Sequence, residues 1–200
     1  MIVLGLDTTG PWCTAALVDD ALVLAQKSEK IGRGHAERLA PMVQEVMQVA
    51  DVKADEIDKL CVCTGPGSFT GLRVALAFAK GFALPRGLPV IGLDALAVAV
   101  AQTDPDAQKR LVAVSDVRRG ELCWSAIFQG QLIKGPLTQT TEQARAEIAA
   151  LAPDCVLEDE KVNGAVLAFL GCELSAAEFP ATPFYARPPD AKLPGGIDPA

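Results

Sequence analysis

Two stretches of this chain open in the same way, and that duplication limits the fold more than anything else in the sequence. Ile2 to Leu6 is an apolar run closed by the turn Asp7-Thr8-Thr9-Gly10-Pro11, after which Cys13 to Val18 and Ala21 to Gln26 read as two more strands. About a hundred residues later, Leu111 to Val114 is again an apolar run closed by an aspartate, Asp116. A turn through Gly120, a strand over Leu122 to Phe128 and a short strand at Leu132-Ile133 complete the second set. A chain with this repeat folds as two related α/β halves.

Helices follow each strand triplet. Leu39, Met42, Val43, Val46, Met47 and Ala50 lie on one helical face after His35, with Pro41 predicted to kink that helix or mark its proper start. Lys59 to Cys63 reads as a strand, Phe69 to Leu84 as a helix rich in Gly and Ala, Pro89 to Leu93 as a strand and Ala95 to Gln102 as a helix. In the second half, Glu142 to Leu151 is predicted helical behind a Thr141 cap, Cys155 to Leu157 a strand and Asn163 to Leu170 a helix. The polar segment Thr103 to Lys109 divides the chain into a subdomain at 1–102 and a smaller one at 103–200. The last part of the chain, from Pro180, holds six of its 14 prolines and is expected to lack regular structure, pinned by Phe184 and Tyr185. Strand-strand-strand-helix occurring twice is the organisation of the actin, sugar-kinase and Hsp70 superfamily, whose fold is ribonuclease H-like. The expected class is therefore α/β, a duplicated actin-like fold with a reduced second subdomain.

Charge and composition narrow the function. Eighteen basic against 25 acidic side chains give a net charge of -7, which disfavours unaided binding to a phosphate backbone. The N-terminus has no basic leader, and the longest apolar run, Ala95 to Ala101, is far too short to span a bilayer, so a cytoplasmic location is expected. The six cysteines lack C-x-x-C spacing and are expected to be buried thiols.

Chemistry-bearing segments are few. His35 is the only histidine and Leu39 stands four residues on, so the helical His pair of a zinc or iron site cannot form, and none is expected. Asp7-Thr8-Thr9 is similar to a phosphate loop and is equally good hairpin chemistry. With Asp116 and Arg118 it gives the candidate nucleotide cleft. Gly65 to Gly81 puts Ser68 or Thr70 at a helix start where backbone N–H groups favour anions, but it lacks the G-K-[ST] of a P-loop. Gly71, Ala75, Ala79 and Ala83 form a smooth stripe suited to close packing, within the chain or across a dimer. Ser115 to Glu121 reads as a solvated charged turn or as a polar contact in the cleft.

IVLGLDTT at 2–9, GHAERLAPMVQEV at 34–46, GPGSFTGLRVALAFAKGFAL at 65–84, LPVIGLDALA at 88–97, DVRRGELCW at 116–124 and FYARP at 184–188 together resemble the TsaB (YeaZ) family. The resemblance implies a non-catalytic subunit of the machinery that makes N6-threonylcarbamoyladenosine at position 37 of tRNAs reading ANN codons. It implies binding to the catalytic paralogue TsaD and to the ATPase TsaE, a homodimer when alone, and contact with tRNA only through the complex. It implies no cofactor of the chain's own, with ATP or ADP entering only in the assembled complex. In TsaD a histidine pair holds the metal; here His35 keeps at most the first slot, which tells against a glycoprotease-type metallopeptidase. The family pairs subunits through its first two helices, so the resemblance names His35, Arg38, Leu39, Met42, Val46, Ser68, Phe69, Gly71, Leu72, Ala75 and Ala79 as the interface. An ATPase of the actin-like superfamily is the alternative from the enzyme class.

Overall fold

The computed structural model describes residues 1–20 and 22–187. The first sheet is built from β1 (Ile2–Asp7), β2 (Trp12–Asp19), β3 (Leu22–Lys30), β4 (Lys59–Gly65) and β5 (Val90–Asp94), in the order β3-β2-β1-β4-β5. The first three strands run as an antiparallel meander and the last two join in parallel. The second sheet repeats the arrangement one strand shorter: β6 (Arg110–Asp116), β7 (Glu121–Phe128), β8 (Gln131–Thr140) and β9 (Cys155–Glu158) lie in the order β8-β7-β6-β9, with only β9 parallel to its neighbour. The duplicated α/β architecture with a reduced second half is thus present.

The central strands are apolar on both faces because both faces are covered. On β1 and β2, Leu4, Leu6, Cys13, Ala15 and Leu17 face α1 (His35–Ala50) and α2 (Phe69–Ala83), and the alternate residues Val3, Ala16 and Val18 face α5 (Gly164–Cys172). In the second sheet Leu111 and Ala113 pack on α3 (Ala95–Thr103), while Val112, Val114 and Trp124 pack on α4 (Thr141–Ala150). Each half therefore lends a helix to the other. α3 precedes the polar segment in the chain yet covers the second sheet, and α5 comes near the end of the described chain yet covers the first. α5 sits so close to β1 that a Cβ on Gly5 would lie 2.3 Å from the Gly164 carbonyl oxygen.

Four local expectations are corrected. Pro41 does not break α1, which runs unbroken from His35; Pro41 and Glu37, four residues before it, are both exposed, so water can take the carbonyl that the proline leaves unbonded. β8 is ten residues long rather than the two apolar ones, because its polar Gly-Pro-containing half pairs with β7, a tertiary contact that leaves no apolar alternation in the sequence. The cap of α4 is Thr140, whose hydroxyl accepts from the Gln143 N–H, one residue earlier than expected. Cys13, Cys61, Cys63 and Cys123 are buried, but Cys155, on edge strand β9, is exposed and Cys172 is half-buried.

After α5 the described chain is irregular up to Arg187, apart from a bridge between Ile91 and Pro180. The Phe184 N–H donates to the Thr64 carbonyl at 2.7 Å, and the Arg187 guanidinium meets Glu121 at 2.8 Å. This segment thus ties the end of β4 to the second sheet. Residues 188–200, including Pro188 of FYARP, lie outside the described residues.

Candidate functional site

Two places compete for function: the cleft between the sheets and the outer face of α1 and α2. In the cleft, Asp7 ends β1 almost wholly buried, and one carboxylate oxygen accepts from the Thr9 N–H at 3.0 Å and the Thr9 hydroxyl at 2.7 Å. Burial pushes its pKa up from the usual carboxylate value, against those hydrogen bonds, a further one with Cys63 and the nearby His35. Thr8 is also buried and donates its hydroxyl to the Gly71 carbonyl at 2.7 Å. Asp7, Thr9 and Trp12 face Ser115, Asp159, Glu160 and Lys161 across a cavity of about 80 Å³, with the Lys161 ammonium 5.0 Å from the Trp12 ring centre.

This small cavity takes only part of the predicted nucleotide set. Asp116 and Arg118 line an adjoining cavity of about 360 Å³ with Arg119, Thr141, Arg145 and Glu158, and Val114 and Asp159 line both. The Asp116 carboxylate accepts from the Arg118 N–H at 2.7 Å, and the Asp116 N–H donates to Asp159 at 2.9 Å, which folds this turn upon itself. Arg118 is drawn into a left-handed conformation within it. Of the expected set, Asp7 and Thr9 thus line the smaller cavity and Asp116 and Arg118 the adjoining one, while the Thr8 hydroxyl is turned to α2. Asp159 to Lys161, which line the far wall instead, carry no sequence signal beyond a charged loop.

The start of α2 is capped from within the chain. Ser68 is its cap, accepting from the Gly71 N–H at 3.0 Å, and the Ser68 N–H itself donates to the Thr9 carbonyl at 2.7 Å. Turn and helix start approach so closely that a Cβ on Gly71 would lie 1.9 Å from the Thr8 carbonyl oxygen. Of the two readings of the small stripe, packing within the chain is the one observed: Gly71, Ala75, Ala79 and Ala83 are all buried.

On the outer face, the predicted interface residues divide. Leu39, Met42, Val46, Leu72, Ala75 and Ala79 are buried in the chain's own structure, most of them in the core between these helices and the first sheet, with Leu39 also reaching the floor of the outer groove. A helix has two flanks, and the sequence pattern marked the inward one. Arg38 is held by Glu29 and Glu45, and the acids are brought down to about 2 by Arg38 first and then Lys27. His35 is buried, and its Nε2 has no hydrogen-bond partner among the described residues. Among the described residues no group of three His, Cys, Asp or Glu side chains is placed to share a metal ion. Of the predicted set, Ser68 and Phe69 are exposed.

What the outer face does present is a shallow groove of about 470 Å³ lined by Ala36, Leu39, Phe69, Thr70, Arg73, Val74, Ala77 and Phe78. Most of these were missed, although a signal existed: α2 is apolar nearly all round, and a helix with a second apolar flank needs a second surface to cover it. Phe78 stacks on Phe82, ring centres 6.0 Å apart, along that flank.

Comparison with known proteins gives the chain's kinship. A family model described as TsaD, tRNA N6-adenosine threonylcarbamoyltransferase, matches residues 24–175. The TsaB protein of tRNA threonylcarbamoyladenosine biosynthesis from Escherichia coli is 36% identical over 126 residues, which is 62% of this chain and 54% of that protein. The chain belongs to the TsaB (YeaZ) family. Over nearly full length, an uncharacterized protein of Mycobacterium tuberculosis is 32% identical, the alignment covering 95% of this chain and 93% of that one. A crystal structure from Pseudomonas aeruginosa, of a protein with similarity to peptidase YEAZ, superposes with a TM-score of 0.75 at 25% identity over 93% of this chain and 99% of its own. The two-sheet α/β fold of that structure is thus shared here. No described helix is long and apolar enough to cross a membrane.

Proposed function

We propose that this TsaB-family chain is a non-catalytic subunit of the machinery that forms N6-threonylcarbamoyladenosine at position 37 of tRNAs reading ANN codons, and that it acts in the cytoplasm by binding and activating a TsaD partner. The observation that carries this reading is the apolar groove on α1 and α2, in which Phe69 stays exposed and Val74 and Phe78 are only half-buried among the described residues. The interior between the sheets supports it from the other side. A space of about 80 Å³ is well below the roughly 300 Å³ at which small-molecule sites begin. Asp7 and Asp116 line adjoining cavities that share Asp159, and each carboxylate is taken up by donors of its own turn, Asp7 by Thr9 and Asp116 by Arg118. ATP or ADP then enters only with the assembled complex and its TsaE ATPase, and tRNA is reached through the complex. In isolation the same groove serves a second copy, so homodimer and heterodimer compete for one face.

Light scattering of the chain alone and mixed with the TsaD of its organism tests the reading. A one-to-one heterodimer is expected, lost on Val74→Asp. A mixture whose components keep their separate masses would overturn it.

A further inference from the structure

The groove on α1 and α2 carries a single charged side chain, Arg73, in an otherwise apolar lining with Thr70. On a flexible stem, an exposed arginine would contribute little to binding, since fixing it costs side-chain entropy and water screens its charge. Arg73 is already fixed. Its guanidinium carbon lies 3.8 Å from the centre of the Phe69 ring, and its Nε donates to the Tyr185 hydroxyl at 3.2 Å. The Tyr185 ring in turn packs on Phe69 with centroids 5.1 Å apart. Tyr185 is 112 residues from Arg73 in sequence and is held on both sides, by the hydrogen bond of the Phe184 N–H to Thr64 and by the ion pair of Arg187 with Glu121. Stacking and one bond from Nε leave the two terminal nitrogens of the fork to a ligand, the geometry that takes a carboxylate in two parallel hydrogen bonds.

We propose that Arg73, positioned by Phe69 and Tyr185, is the specificity-determining residue of the docking face, and that the protein seated in the groove presents a carboxylate flanked by apolar side chains. The inference rests on the reading of that face as the TsaD-binding surface and adds the chemistry of its occupant. Charge complementarity argues for an acidic side chain, because no acidic residue lines the groove to compete for Arg73. The apolar remainder, Leu39, Val74 and Phe78, favours a protein over a nucleic acid. The C-terminal segment Phe184 to Arg187 becomes part of the docking surface by holding the arginine.

The test measures affinity for TsaD by calorimetry at two salt concentrations, with thermal melting as a check on folding. Arg73→Ala is expected to weaken binding about tenfold or more and to flatten its salt dependence, with Arg73→Glu weaker still. Tyr185→Phe, which removes only the hydroxyl, is expected to cost roughly threefold with an unchanged melting temperature. Lys80→Glu, on the same helix but outside the groove, is expected to bind as the wild type does. If the wild type binds TsaD and both Arg73 variants bind equally well with the same salt slope, the inference falls and the partner reading stands; if the wild type does not bind at all, the partner reading itself falls. Arg73→Glu leaving TsaD affinity intact but abolishing retention of tRNA on filters would overturn it in favour of a phosphate contact.

Discussion

Asp7 is a buried carboxylate whose hydrogen-bond donors do not fully offset its lost hydration, so the folded protein holds its proton at pH values where the unfolded chain has released it. The sign follows. Stability from this group is complete below the ordinary aspartate pKa and is lost as pH rises through the raised folded value. Asp7→Asn imitates the protonated form and can still accept from Thr9. Its stability relative to the wild type should therefore rise from about pH 4 toward pH 7 in denaturant titrations, and a gap that narrows over that range would contradict the account. Gly71 gives a second prediction at this scale. A methyl group there would meet the Thr8 carbonyl oxygen at 1.9 Å, so Gly71→Ala should cost about 1–3 kcal/mol of unfolding free energy. Both residues were singled out in the sequence, Asp7 for phosphate chemistry and Gly71 for its place in a stripe. The sequence could not tell that they serve one junction, because the turn and the helix start are some sixty residues apart and only the fold brings them into contact.

Elements raise a different question: which flank of a helix faces what. α1 is pinned to β3 by Lys27, Glu29, Arg38 and Glu45, a network that depends on two acids held down to about 2. Because these pKa values are lowered by folding, the network's stabilisation is present above the ordinary glutamate pKa and is lost as pH falls from about 4.5 to about 2. The melting-temperature gap between the wild type and Arg38→Ala should accordingly be largest at neutral pH and close in acid. For α2, the interval-four stripe of Gly and Ala was legible in the sequence, and its role as the inward flank was not, since a smooth stripe serves a core and an interface alike. The apolar flank that remains, from Phe69 through Val74 to Phe78, lines the outer groove.

At the scale of the whole molecule, the exchange of helices makes the two halves interdependent. α5 buries Leu167 and Ala168 against the first sheet, and Lys59 of β4 donates to three carbonyls at and beyond the end of α5, those of Gly171, Cys172 and Leu174. Leu167→Ala should cost about 2–5 kcal/mol by the cavity it leaves. A fragment ending at residue 102 lacks α5 altogether and exposes the apolar face formed by Val3, Ala16, Val18, Cys61 and Ile91. It should show neither a cooperative melt nor dispersed amide signals; a well-folded fragment would refute this interdependence.

Local sequence determined the order of strands and helices, the duplication and the family, because strand alternation, helical spacing, capping residues and turn residues act over a few neighbours. Only the tertiary structure decided which face of α2 is spent on the core, that Thr8 and Gly71 meet at one junction, and that Tyr185 comes to hold Arg73. Each of these is a contact between residues far apart in the chain, fixed by how sheets and helices pack, and no periodicity along the sequence encodes it.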